Sequence, residues 1–223
     1  MATLSPMMQQ YMRLKEQNPD TLLFFRVGDF YEMFFDDALT ASRELELTLT
    51  GKDCGLEERA PMCGVPYHAV DTYVARLVEK GYRVAIGEQM TDRALAKGLV
   101  DRDVIRIITP GTLTDTAVIG ERKNNFLCSL YVQGKRAGLA ACDVSTGEFY
   151  AQQLPAEQSA VKAALSALEP GEIITNDLEF AKGCAAVVPR LFTAAAFQSQ
   201  NARETLLSHF GVNSLIALGL DSS

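Results

Sequence analysis

Two α/β domains in series are what this sequence predicts. Three observations carry that reading. Short runs rich in β-branched and aromatic residues alternate with apolar stripes at helical spacing, the pattern of a mixed α/β fold. A polar stretch over 112–125 interrupts the alternation midway. Beyond it, three short apolar runs follow one another before the first helical stripe, which is the pattern of a meander. The first domain is placed at 1–115, a linker at 116–125 and the second domain at 126–223.

The elements follow in order. Ser5 and Pro6 are N-cap and first-turn signals, Met7, Tyr11 and Leu14 recur at i, i+4 and i+7, and Asn18-Pro19 ends that helix. Leu22 to Val27 is a short apolar run rich in aromatics, a buried-strand pattern. Gly28 allows a tight turn and Asp29 is a good N-cap. Tyr31, Phe34, Ala38 and Leu45 then share one side of a 3.6-residue period, which predicts a helix to about Leu45. Leu47 to Thr50 alternates like a short strand, and Gly51 to Ala60 is polar enough for a surface loop. Two prolines and a glycine give Pro61 to Tyr67 an extended and turned path. Val70, Tyr73, Val74, Leu77 and Val78 form the next helical stripe, closed by Gly81. Tyr82 to Met90 is a strand, Thr91 to Val100 a polar helix or loop, and Val104 to Thr109 a strand ended by Pro110-Gly111.

In the second domain, Phe126 to Val132, Ala137 to Val144 and Glu148 to Leu154 are strands joined by short glycine-containing turns. Pro155 to Leu168 is a helix burying Ala160, Val161, Ala164, Leu165 and Leu168. Glu172 to Asp177 and Ala186 to Val188 are strands, and Asn201 to Phe210 is a helix closed by Gly211. Three strands, then helix, strand and helix, is the order of an RNase H-like α/β fold.

Composition bounds the function. A chain of 223 residues holds one large or two small domains, and 48% apolar residues supply a core for each. No apolar run reaches the roughly 18 residues a membrane helix needs. Met1 to Pro6 lacks the basic and apolar regions of a secretory signal. Cys54, Cys63, Cys128, Cys142 and Cys184 form no Cys-x-x-Cys pair, so they read as reduced thiols of a cytoplasmic protein. With only His68 and His209, a His-rich metal site is not expected. The net charge of −7 argues against a protein that coats DNA. Residues 1–115 hold 13 Lys and Arg against 18 Asp and Glu. If this chain meets DNA, it supplies discrimination, and grip on the phosphates comes from elsewhere.

The junction Val27 to Phe35 organises the chain. On a helical wheel Phe30 and Glu32 stand about 100° to either side of Tyr31, off the centre of the buried stripe. A large ring and a carboxylate are thus offered together at the lip of a helix N-terminus. Two structural alternatives compete. Asp29 to Glu32 fits a capping-box variant, and Phe30 fits ordinary core.

Gly28-Asp29-Phe30-Tyr31-Glu32-Met33-Phe34 is preceded by Pro6-Met7-Met8-Gln9-Gln10-Tyr11. It is followed by Gly64-Val65-Pro66-Tyr67-His68-Ala69 and by Arg106-Ile107-Ile108-Thr109-Pro110-Gly111-Thr112. This series resembles the N-terminal region of the MutS family of DNA mismatch-recognition proteins. The resemblance is strong over most of 5–115 and weaker beyond, and several motifs in the right order make it specific. It implies a mismatch-recognition domain followed by most of an RNase H-like connector domain. It implies that Phe30 wedges into the minor groove of kinked duplex DNA and stacks on the mispaired base, while Glu32 makes a hydrogen bond there. The physics fits, because a mismatch stacks poorly and an apolar wedge then kinks the duplex cheaply. By the same resemblance Met62 lies beside the wedge, and Gly28, Asp29, Tyr31, Pro66, Tyr67 and His68 are scaffold of the motifs, His68 as a hydrogen-bonding residue at a helix start. Lys52 and Arg59 are candidate phosphate contacts, with solvated surface charge as the alternative. The family also implies a MutL-type partner at the helix 201–210, where this chain carries Glu204-Thr205 in place of amides. It implies a homodimer in a longer parent, to which ATP and magnesium would belong, and a bacterial cytoplasmic setting, nucleoid-associated on DNA.

Enzymatic alternatives are weaker. No Gly-x-x-x-x-Gly-Lys-Ser/Thr occurs, so a phosphate-cradling loop is not expected. An RNase H-like nuclease would use Asp143 and Asp177, but two-metal chemistry needs three or four clustered carboxylates. No cofactor and no catalysis are therefore expected of this chain, and a pure protein-interaction module is the remaining alternative.

Overall fold

In the computed structural model, residues 3–90, 100–113 and 124–220 are described. They fall into two units, residues 1–123 and 124–223, each with its own sheet and core. Both are α/β, as the sequence predicts. The expected helix or loop at Thr91 to Val100, save Val100 itself, and most of the expected linker lie outside the described residues.

In the first unit α1 (Pro6–Gln17) leads into β1 (Leu22–Val27). Gly28, at φ 64°, and Asp29 form a tight loop that turns the chain back as β2 (Phe30–Phe34). The hairpin register pairs Val27 with Phe30 and Phe25 with Glu32. This corrects the sequence reading, in which Phe30 to Phe34 opened a helix with Asp29 as its cap. The helix α2 begins only at Phe35 and runs to Leu45, and no Asp29–Glu32 capping box forms. The reason is tertiary. Tyr31, Phe34, Ala38 and Leu45 are all buried, but a strand followed by a helix buries them as well as one helix would. Ladder bonds from β1 on one side and β4 on the other decide for the strand. The switch occurs at Phe35, whose φ of 53° is uncommon for a bulky residue.

β3 (Thr50–Lys52), β4 (Ala60–Pro66), α3 (Val70–Glu79), β5 (Val84–Gln89) and β6 (Arg102–Ile108) complete the unit. The sheet order is β3-β4-β2-β1-β5-β6, with β1 and β5 parallel and the other neighbours antiparallel. Leu47 to Leu49, expected as a strand, are not one. Glu46 takes a left-handed φ of 58° to end α2, and the Leu47 amide donates back to the Ser42 carbonyl. Pro61 to Pro66 is more regular than expected, because β2 and β3 pair with β4 from both sides.

Each face of this sheet carries a core. α2 and α3 cover Phe24, Tyr31, Met33, Val65 and Val84 with Ala38, Leu45, Val74 and Leu77. α1 covers Leu23, Phe25, Phe34 and Ala85 with Met8, Tyr11 and Leu14. Each Val, Leu, Phe and Met side chain among them contributes about 1.5–3 kcal/mol by leaving water. Between α1, α2 and β1 sits the buried Asp37 carboxylate. It accepts from Tyr11 Oη and Lys15 Nζ, both at 2.8 Å, and from the Leu23 amide at 3.0 Å. Beside it, burial and the Asp37 charge hold the Tyr11 phenol well above its ordinary range.

The second unit comprises β7 (Phe126–Gln133), β8 (Arg136–Asp143), β9 (Phe149–Pro155), α4 (Gln158–Leu168), β10 (Glu172–Thr175), a short α5 (Leu178–Lys182), β11 (Arg190–Leu191) and α6 (Ser199–Phe210). Its order is β11-β10-β7-β8-β9, an antiparallel meander extended by parallel strands, the RNase H-like arrangement predicted. Phe126, Cys128, Leu130 and Leu139 pack against Val161 and Leu165 of α4. Pro155 ends β9 opposite Arg136, so α4 starts after it. Ala186 to Val188 is not the expected strand. Asp177 caps α5, a helix the sequence reading lacked, and the parallel pairing with β10 falls instead to Arg190 and Leu191. Val188 is left exposed. Among the described residues no helix is long and apolar enough to cross a membrane.

Candidate nucleic-acid interface

The site follows from the two-residue period of β2. Phe30, Glu32 and Phe34 leave one face of the strand, and Tyr31 and Met33 leave the other. Phe34 lies under α1, in edge contact with Tyr11 at 5.0 Å. Toward the Gly28 turn the face is progressively uncovered. Phe34 is 0% exposed, the Glu32 side chain 14% and Phe30 46%. A ring and a carboxylate therefore point the same way from adjacent positions on a strand, where the sequence reading had set them on opposite flanks of a helix.

Neighbouring strands keep this end of the sheet low. Across from Phe30 stands Pro66, across from Glu32 stands Gly64, and across from Phe34 stands Met62. A Cβ on Gly64 would come within 3.1 Å of the Tyr31 carbonyl oxygen and 3.5 Å of Glu32 Cγ. Met62 is half-buried, and its carbonyl accepts from Thr50 Oγ1 at 3.1 Å. Lys52 on β3 reaches over to form an ion pair with the Glu32 carboxylate, its Nζ 5.7 Å from the Phe34 ring centre. Lys52, expected as a candidate phosphate contact, is thus engaged with the other site residue. Arg59 is exposed in the loop before β4.

The turn beneath the ring is braced from the opposite side. The Tyr67 amide donates to the Asp29 carbonyl at 2.9 Å, tying the start of the 67–69 turn to the hairpin loop. The Arg26 guanidinium lies 4.1 Å from the Tyr67 ring centre and 3.6 Å from Glu88. Tyr31 Oη donates to Glu88 at 2.6 Å. Burial, then the Glu88 bond and charge, push the Tyr31 phenol up to about 12, with Arg26 opposing. Arg26 and Glu88 were not singled out in the sequence. Only their placement on the adjacent strands β1 and β5 brings them together. His68 was expected to make a helix-start hydrogen bond. Its side chain makes none among the described residues and stands edge-on to Tyr67 at 5.7 Å.

The carboxylates of the nuclease alternative are otherwise engaged. Asp143 is fully buried and accepts from the Asn125 amide, the Ser145 amide and hydroxyl, and the Thr146 amide. Burial raises its pKa, but these hydrogen bonds outweigh it and leave the carboxyl below its ordinary value. Asp177 accepts from the Phe180 amide at 3.0 Å as the cap of α5. No group of three or more His, Cys, Asp or Glu with metal-holding geometry occurs among the described residues. Glu204 and Thr205 are exposed on α6, with Glu204 accepting from Gln200.

Comparison with known proteins covers both units. Residues 5–117 match the family MutS domain I, and residues 125–223 match MutS domain II. A DNA mismatch repair protein MutS of Ruminiclostridium cellulolyticum is 59% identical over 79% of this chain and 20% of its own length. That of Acetivibrio thermocellus is 53% identical over 95% of this chain and 23% of its own. That of Lachnoclostridium phytofermentans is 46% identical over 99% and 24%. The chain spans about a fifth to a quarter of the length of these relatives.

Proposed function

This chain belongs to the MutS family, and from that premise we propose that it recognises mispaired bases in duplex DNA for mismatch repair. One observation carries the reading. Phe30 and Glu32 share the uncovered end of one sheet face, ring outermost and carboxylate behind it, in the unit that matches MutS domain I. Phe30 enters the minor groove as a wedge and stacks on the mispaired base, which is already poorly stacked and cheap to displace. Glu32 supplies a hydrogen-bond acceptor to that base, and a correct pair has its own donors occupied. The Arg26–Tyr67 contact and the Tyr67–Asp29 hydrogen bond support this role by fixing the turn from which the ring projects. Met62, across from Phe34, and the exposed Arg59 are assigned to the DNA side, Arg59 as a phosphate contact.

The acidic balance of residues 1–115 supports weak binding with a shallow salt slope by this chain alone, with grip supplied by other parts of a longer dimeric protein. ATP and magnesium belong to that parent, and this chain neither hydrolyses ATP nor cuts DNA. The exposed helix α6, with Glu204 and Thr205, is the surface for a MutL-type partner.

Equilibrium binding of the chain to matched and mispaired duplexes at low ionic strength tests the reading. Mispaired DNA is expected to bind more tightly, and Phe30→Ala to remove about 1–3 kcal/mol of that preference, the value of one base–aromatic stack. Glu32→Gln is expected to tighten matched DNA and shrink the ratio. An unchanged ratio in both variants overturns the proposal.

A further inference from the structure

Lys52 has two readings. It could be a plain phosphate contact, or a residue that acts through Glu32. The geometry points to the second, and we propose that Lys52 is a specificity-determining positioning residue, which neutralises the Glu32 carboxylate and holds it on the sheet face behind Phe30. The inference rests on the function proposed above. Lys52 and Glu32 come from β3 and β2, with β4 between them. Their side chains can meet because β4 presents Gly64 directly across from Glu32. Both groups are mostly shielded, at 27% and 14% side-chain exposure, so their attraction is less screened than that of a surface pair. Lys52 also lies above the Phe34 ring, which restricts its stem.

The consequence concerns discrimination. A bare carboxylate at this position repels the phosphates of every duplex. With Lys52 in place the repulsion is largely cancelled for both duplexes, and what remains of the preference comes from the stack and the shared hydrogen bond. Removing Lys52 restores the repulsion. Matched DNA then suffers in full, whereas with mispaired DNA the carboxylate, no longer shared with the Lys52 ammonium, makes a stronger hydrogen bond to the base, which offsets part of the loss. Lys52 therefore lowers selectivity while raising affinity, opposite in sign to what a discriminating contact would do.

A double-mutant cycle on the chain tests this, using matched and mispaired duplexes with wild type, Lys52→Met, Glu32→Gln and the double variant. Lys52→Met is expected to weaken both duplexes, matched more than mispaired, raising the ratio at least about two- to fivefold, the range set by exposed ion pairs. The rise should vanish in the Glu32→Gln background, and Lys52→Arg should restore wild-type behaviour. Arg59→Met serves as the control for a plain phosphate contact, lowering both affinities with the ratio unchanged. The same pattern for Lys52→Met in both backgrounds overturns the inference while leaving the parent reading standing. A ratio unmoved by Phe30→Ala and Glu32→Gln overturns the parent reading and this inference with it. Melting temperatures identify a variant that fails to fold, and Lys52→Arg then decides the question, since it keeps the charge: loss of the wild-type ratio there also overturns the inference.

Discussion

Glu32 and Gly64 face one another across the β2–β4 ladder, and the carboxylate is free to turn toward Lys52 because Gly64 has no side chain. A Cβ added there would sit 3.1 Å from the Tyr31 carbonyl oxygen. Gly64→Val is expected to cost about 1–3 kcal/mol of stability through overpacking. It should also lower the preference for mispaired DNA by displacing Glu32. Denaturant unfolding and the two-duplex binding assay measure the two effects separately.

The Asp37 carboxylate joins α1, α2 and β1 through Tyr11, Lys15 and Leu23. Asp37→Ala takes the shared acceptor from the half-buried Lys15 ammonium, the Tyr11 phenol and the buried Leu23 amide, and is expected to destabilise the first unit by about 1–3 kcal/mol. Asp37→Asn keeps the shape and one acceptor, and should cost less. Thermal unfolding of both variants checks the order.

Alkaline stability should depend on Tyr31, whose phenol is raised from 10.0 to about 12 in the folded chain. The folded state holds this proton more tightly than the unfolded one, so its contribution is complete below pH 10 and is lost as pH rises toward 12. Tyr31→Phe cannot ionise. The variant's stability should fall less steeply across that window, as read by denaturant midpoints.

Acid stability should depend on Asp143, whose folded carboxyl lies below its ordinary value. The unfolded state takes up the proton first as pH falls, so the contribution is present above about pH 4 and lost below it. Asp143→Asn should flatten this loss in the second unit. At neutral pH it should cost about 1–3 kcal/mol, because amides that bonded a carboxylate are left with a weaker acceptor. Unfolding curves between about pH 2 and 7 follow both effects.

Much was legible in the chain itself. Composition and apolar spacing determined two α/β units, the helices at 6–17 and 70–79 and the meander at 126–155, because each buries a stripe whose period admits one element, while the helix read at 201–210 was marked by Gly211 at its end. The motifs around Phe30 and Glu32 pointed to the site by resemblance. Tertiary structure alone decided how that site is built. Tyr31, Phe34, Ala38 and Leu45 satisfy a helical period and also a strand followed by a helix, so spacing could not choose between them. The choice came from β1 and β4, whose backbone groups pair with both edges of β2. That pairing turned Phe30 and Glu32 onto one face. It also set Gly64 opposite the carboxylate and brought Lys52 within reach of it. These are contacts between residues far apart in sequence, and local periodicity carries no record of them.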